Sequence, residues 1–253
     1  MKAALFQYDP VWEDLQRNMQ KIQRMADKIG TQVDMMILPE LTLTGFTMRS
    51  KSFAEDLDGP SMEFFRKLAR EQKSNLFAGL IERGKPACHN CLVHIDPEGS
   101  LAAIYRKIHP FSYSGENRFY TGGKNPVMSR IGNINIGLTV CYDLRFPELY
   151  RIYGKARTDL IINIANWPDS RIAHWQTLLK ARAIENQCYV IGVNRVGKDK
   201  KNAYNGCSAV IHPSGNEILQ TGNREDVFIA EIDFDEVEDI RRNYPFLEDM
   251  VLI

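Results

Sequence analysis

Residues Asn135 to Val140 read NIGLTV, and residues Asp159 to Ile164 read DLIINI. Each is a short, nearly continuous apolar run rich in branched side chains, the pattern of a strand buried on both faces. Between them stands Pro147, suited to the first turn of a short helix because its missing N–H is not needed there. Beyond them Ile172, Trp175, Leu179 and Ala183 mark one face of another helix, and CYVIGV, Cys188 to Val193, follows as a third strand. This is the rhythm of β-α-β units.

The first half of the chain repeats it. KAALFQY, Lys2 to Tyr8, predicts a strand, and Leu15, Met19, Ile22, Ala26 and Ile29 predict a helix ending at Gly30. VDMMIL, Val33 to Leu38, predicts the next buried strand. Two such units imply two sheets with helices outside, an α/β four-layer α-β-β-α sandwich. Antiparallel strands are expected between the halves at Leu76 to Glu82, Asn90 to Asp96 and Leu101 to Arg106, separated by the turns Arg83-Gly84-Lys85-Pro86 and Asp96-Pro97-Glu98-Gly99. No Pro/Gly-rich linker, repeat array or low-complexity tract interrupts the sequence, so residues 1–253 are read as one domain.

Composition narrows the function classes. The 253 residues are 44% hydrophobic and 25% charged, with 32 Lys+Arg against 32 Asp+Glu. A formal net charge of zero offers no overall field for phosphate backbones or anionic lipid, which argues against nucleic-acid or membrane partners. Lys198, Lys200 and Lys201, flanked by Gly197 and Asn202, read as a solvated loop. No stretch approaches the roughly 18 apolar residues of a membrane span. The opening MKAALFQYDP meets Gln7 and Asp9 before a signal-peptide core can form, so a cytoplasmic location is expected. Five cysteines, Cys88, Cys91, Cys141, Cys188 and Cys207, are an odd number in a chain large enough to have its own core, which argues against a disulfide scaffold.

Dinucleotide-binding, P-loop and nucleophile-elbow serine motifs are all missing from the sequence, as are zinc-binding histidine pairs. Cys88-x-x-Cys91 has no second pair to complete a zinc site, and it enters a strand instead of opening a helix. It reads as two small residues beside a strand, and no metal site is expected.

Three residues stand directly after apolar runs. Glu40 follows Leu38-Pro39, Lys107 follows Leu101 to Arg106, and Cys141 follows Asn135 to Val140. Side chains at the carboxyl ends of strands face the crevice where layered α/β proteins bind ligands. Singly, each has a plain alternative as a loop carboxylate, a surface lysine and a core thiol. Together they supply a base, a cation and a nucleophile. A thiol with a free pKa near about 8.5 is mostly protonated at neutral pH and needs such a base, while a cation stabilises the oxyanion formed when sulfur attacks a carbonyl.

Four segments, PELTLTGF (Pro39 to Phe46), YRKIHPF (Tyr105 to Phe111), CYDLRFPELYR (Cys141 to Arg151) and HWQTLLKARAIENQCYV (His174 to Val190), resemble the nitrilase, or carbon-nitrogen hydrolase, superfamily. The resemblance implies an α-β-β-α sandwich that dimerises, through helices of the second half, and a Glu-Lys-Cys triad without metal or organic cofactor. Cys141 then corresponds to the nucleophile, Glu40 to the general base and acid, and Lys107 to the oxyanion stabiliser, helped by the backbone N–H of Tyr142. Glu116 matches a second family glutamate that positions substrate and lysine; its alternative is a loop carboxylate paired with Arg118.

Family members acting on nitriles typically carry Cys-Trp-Glu at the nucleophile, whereas this chain has Cys141-Tyr142-Asp143, the form of the ω-amidase and deaminated-glutathione amidase branch. Arg145 matches an arginine that binds the substrate carboxylate in N-carbamoyl-amino-acid relatives; alternatively it braces the loop by pairing with Glu148 or another carboxylate. Phe46, Phe111, Tyr113 and Trp167 are candidates to line the pocket, with aromatic core packing the alternative for any one of them. Arg182 and Glu185 are read as a scaffold pair, and Asp169 or Ser170 as the cap of the following helix.

The activity implied is hydrolysis of a small ω-amide of a dicarboxylic 2-oxo acid to the acid and ammonia through a thioester. Runners-up are deaminated glutathione or N-carbamoyl amino acids as substrate, acyl transfer to an amine, and a silent scaffold. The intact Glu40, Lys107 and Cys141 weigh against the last.

Overall fold

The computed structural model describes residues 1–252. The first half runs β1 (Lys2–Gln7), α1 (Leu15–Ala26), β2 (Met35–Ile37), α2 (Ser50–Phe53), α3 (Pro60–Gln72), β3 (Asn75–Glu82), β4 (His89–Ile95) and β5 (Leu101–Arg106). The second runs β6 (Met128–Ile131), β7 (Ile134–Val140), α4 (Pro147–Lys155), β8 (Leu160–Ala165), α5 (Ile172–Asn186) and β9 (Tyr189–Asn194). It continues through β10 (Val196–Lys198), β11 (Ala203–Asn205), β12 (Ala209–Ile211), β13 (Glu217–Gln220), β14 (Asp226–Glu231) and α6 (Asp235–Asn243).

Two six-stranded sheets result, in the orders β14-β1-β2-β3-β4-β5 and β13-β12-β9-β8-β7-β6. Strands β1, β2 and β3 are mutually parallel, as are β7, β8 and β9, and antiparallel strands complete both sheets. Alternation along β1 shows how the layers form. Ala3 and Leu5 join a core that also holds Ile136, Leu138 and Val140 of the other sheet, while Ala4 and Phe6 pack with Ile22 of α1 and Phe65 of α3 on the opposite face. Burial on both faces explains why the strands read as unbroken apolar runs. His94 is a polar tie between the sheets: its ring lies 2.6 Å from the Ser129 hydroxyl of β6 and 2.9 Å from Asn75 of β3. Burial, only partly opposed by Asp96, pushes its pKa down to about 4.

The α/β sandwich expected from the sequence is present. Several boundaries differ. Helix α1 ends at Ala26, where Asp27 and Ile29 close turns onto Gln23 and Ala26, although Ile29 still packs against the core. Neither Asp169 nor Ser170 caps α5; both lie in a short 3-10 turn, Asp169–Arg171, that feeds directly into the helix, whose cap position is Arg171. The hairpin β10–β11 and the strand β14, which closes the first sheet against β1, have no counterpart in the sequence reading. Among the described residues no helix is long and apolar enough to cross a membrane.

Candidate active site

Cys141 directly follows β7, and the chain turns sharply there. Its φ of +50° lies in the left-handed region, costly for a residue with a Cβ and kept only where surroundings enforce it. They do so from two sides. The Cys141 N–H donates to Asn163 Oδ1 at 3.0 Å, and the Val140 N–H donates to Asp143 Oδ2 at 3.0 Å. Arg182 of α5 adds two bonds to the Leu144 carbonyl, at 2.8 and 3.1 Å, besides its expected 2.9 Å pair with Glu185.

Glu40 lies just beyond β2 and Lys107 just beyond β5, so the three residues singled out in the sequence come from strand ends of both sheets. The Glu40 segment can lie against β3 because residue 79 is glycine: a Cβ there would stand 2.3 Å from the Leu41 nitrogen. Lys107 Nζ is 2.8 Å from Glu40 Oε1 and 3.0 Å from Glu116 Oε2. Asn90 Nδ2 donates to both carboxylates, at 2.7 Å to Glu40 and 2.9 Å to Glu116. The Asn166 N–H donates to Glu40 Oε2 at 2.9 Å, and the Phe111 N–H to Glu116 Oε2. Glu40 and Lys107 are 1% exposed and Glu116 is 0% exposed, so these charges are withdrawn from water and satisfied by one another.

This setting decides protonation states. Burial alone would neutralise Lys107, but Glu116 and Glu40 more than offset it and hold the ammonium charged. Burial raises Glu116, with Lys107 opposing. At Cys141, burial and then the negative charge of Glu40 push the thiol well above its ordinary range, and Lys107 only partly pulls it back. Glu40 is the carboxylate whose charge and side-chain hydrogen bond bear most on this thiol.

Asp143 links the two arms of the site. This fully buried carboxylate accepts from the Val140 N–H, the Tyr105 hydroxyl at 2.8 Å, and both the backbone N–H and Nδ1 of His109, at 3.0 and 2.8 Å. The His109 ring stacks on Phe146 with centroids 3.8 Å apart. Asp143 therefore fastens the strained Cys141 turn to the segment that begins with Lys107. Asp143→Asn should lower kcat by about 100-fold, the scale of a misplaced reacting group, with little change in KM. An unchanged kcat in steady-state assays would rule out this positioning role.

The cavity over Cys141 encloses about 540 Å³. Phe46, Phe111, Tyr113, Tyr142, Arg145 and Trp167 all line it. Arg145 does not pair with Glu148; its guanidinium lies over the Trp167 ring, 4.8 Å from the centroid, and its Nη2 is 3.2 Å from His174 Nδ1. Nor does Glu116 pair with Arg118. Lys200 and Lys201 lie in an exposed loop, as read from the sequence, and that loop also borders the cavity. Sequence reasoning missed Asn90, Asp143, Asn163 and Asn166. Asn163 and Asn166 were detectable as polar interruptions of the apolar run DLIINIANW, whereas Asn90 carries no local signal. All five cysteines are free.

A two-sheet sandwich with a thiol on a strained strand-end turn, backed by a buried lysine between two carboxylates, defines a class of thiol-dependent hydrolase. The carbon-nitrogen hydrolase family model matches residues 2–242, and the chain belongs to that family, within the nitrilase superfamily, whose enzymes hydrolyse carbon–nitrogen bonds other than peptide bonds. It is 36% identical over 249 residues to a 2-oxoglutaramate amidase of Paenarthrobacter nicotinovorans, covering 94% of this chain and 84% of that protein. It is 34% identical over 253 residues to the omega-amidase YafV of Escherichia coli K12, covering 98% and 96%. A crystal structure from Xanthomonas campestris, a CN-hydrolase superfamily protein with an arsenic adduct in its active site, superimposes with a TM-score of 0.95 at 32% identity, covering 100% of this chain and 98% of that one.

Proposed function

We propose that the protein is a cysteine-dependent amidase that hydrolyses a small ω-amide of a dicarboxylic 2-oxo acid to the acid and ammonia. The observation that carries this reading is the buried Glu40–Lys107–Glu116 cluster behind a cavity-facing Cys141. The amidase names of its relatives support the same reaction and substrate class.

The neutral Cys141 thiol passes its proton to Glu40 as Sγ attacks the amide carbon. Lys107 Nζ and the Tyr142 N–H stabilise the oxyanion, and Glu116 holds the ammonium in place. Glu40 returns the proton to the departing nitrogen, leaving a Cys141 thioester and ammonia. Water, deprotonated by Glu40, then attacks the thioester and releases the acid with the thiol restored. No step requires a metal or an organic cofactor. Arg145 holds the far carboxylate of the substrate, against walls formed by Phe46, Tyr113 and Trp167.

The chain acts as one catalytic domain, since both sheets share a core and both contribute to the site. A cytoplasmic location fits five free thiols. A homodimer through the second-half helices is supported by the exposed Ile152 and Ile184 on α4 and α5, and sedimentation velocity reads it directly: a single monomeric species would exclude it.

The test is ammonia release from α-ketoglutaramate, α-ketosuccinamate, deaminated glutathione, N-carbamoyl amino acids and simple nitriles. The keto-acid amides should be hydrolysed fastest, and preference for a nitrile would overturn the reading. Arg145→Lys keeps the charge but loses the two-pronged geometry, so KM should rise roughly tenfold for acidic amides and much less for neutral ones. Equal effects on both would remove Arg145 from carboxylate binding.

A further inference from the structure

The protein's formal charge is zero, yet its cavity gathers four cations without ion-pair partners among the described residues, Arg145, Arg171, Lys200 and Lys201, against one unpaired acid on its lining, Asp199. The two acids on the lining are held by other partners. Glu13 pairs with Arg49 at 2.8 Å. Asp199 turns inward, accepting from the Tyr204 hydroxyl at 2.6 Å and from the backbone N–H groups of Lys201 and Asn202 at 2.7 and 2.8 Å.

Those bonds make the Asp199–Asn202 turn a built arm. Below it the fully buried Arg195 lies 4.4 Å from the Tyr204 ring centroid and pairs with Asp9 at 2.6 Å. Gly197, with a φ of +90°, lets the hairpin pass directly over Asp9, where a Cβ would stand 2.0 Å from the carboxyl carbon. The arm thus fixes the backbone from which Lys200 and Lys201 project at the cavity wall. On the adjoining wall Arg171 is half-buried, with its guanidinium 5.6 Å from the Phe111 ring centroid.

We propose that Arg171, Lys200 and Lys201 form an outer anion subsite, distinct from the inner position served by Arg145, so that the enzyme accepts amides bearing a second carboxylate toward the cavity mouth. This rests on the amidase reading of the inner site and extends its substrate class from monoanionic to dianionic acids. Like charges lining one cavity in excess of its acids are unfavourable until an anion joins them, and they discriminate between ligands by charge. Burial and the repulsion of Arg171 hold Arg145 below the usual guanidinium range, against the opposing influence of Tyr142, consistent with cations awaiting an anion. A cavity of about 540 Å³ is also of the size that encloses a drug-sized ligand, more than a five-carbon amide acid fills.

The test compares two primary amides of equal backbone length, 4-carbamoylbutanoyl-glycine with one carboxylate and 4-carbamoylbutanoyl-aspartate with two. The wild-type kcat/KM should favour the aspartate conjugate by about tenfold at low salt, and the ratio should shrink as ionic strength rises. Lys200→Glu/Lys201→Glu and, separately, Arg171→Gln should each bring the ratio toward one or below. A wild-type ratio near one, or a ratio insensitive to both variants, would overturn the subsite. Calorimetric binding of the two conjugates to Cys141→Ala gives the same comparison without turnover. If neither conjugate nor glutaramate releases ammonia, the amidase reading fails, and the binding preference still decides for or against the subsite.

Discussion

Cys141→Ala is expected to abolish ammonia release, by roughly 10⁴-fold or more in kcat, while the protein stays folded. The expectation follows from the chemistry: no other side chain at the mouth of the buried cluster is a comparable nucleophile. Alanine shares with cysteine the steric difficulty of φ +50°, and the hydrogen bonds holding the turn come from the backbone of Val140 and Cys141, which the substitution leaves in place. Thermal unfolding should therefore change little, and the thioester should disappear from mass spectra of enzyme quenched during turnover. Full retained activity would sink the mechanism. Burial and then the negative charge of Glu40 push the Cys141 thiol up, so alkylating agents should modify it less readily than a preformed thiolate; Glu40→Gln should slow turnover by removing the proton acceptor while not slowing alkylation.

Lys107→Met should remove activity and also destabilise the fold, by about 3–5 kcal/mol, the usual cost of taking one partner from a buried ionic group. Glu40 and Glu116 would then face each other through Asn90 with no cation between them. One carboxyl would have to bind a proton to relieve the repulsion, which raises its folded pKa above the unfolded value. The sign follows from proton binding: the folded variant holds more protons than the unfolded chain, so its deficit should grow as pH rises above the ordinary carboxylate range and shrink toward acid. Chemical denaturation at pH 5 and pH 8 measures this directly. A variant as stable as wild type at pH 8 would show that Lys107 does not neutralise the pair.

Much of this site was legible because its key residues break a pattern. Glu40, Lys107 and Cys141 are conspicuous where apolar runs stop, and the four motifs around them carry a family resemblance. Glu116 came from the resemblance alone. The branch-specific residues after Cys141 pointed to amides, but Asp143 was noted there as a branch marker and not as an anchor, because its partners lie in the other half, Tyr105 in β5 and His109 just beyond it. Lys200 and Lys201 are exposed, as the solvated-loop reading had them, but that reading did not show that their turn also borders the cavity. A lysine pair in a polar loop looks the same in sequence whether the loop faces bulk water or a cavity wall.

Period and composition are local properties, so the chain alone determined the parallel strands, the helices between them and the two-sheet architecture. Hydrophobic burial rewards those patterns wherever they occur. Which polar groups meet was decided only in three dimensions. Lys107 finds two carboxylates, Asn90 bridges them, Asn166 reaches Glu40 and the hairpin arm reaches the cavity because two sheets close over one core. Hydrogen bonds and ion pairs act over a few ångströms, and residues far apart in sequence enter that range only once the sheets have packed.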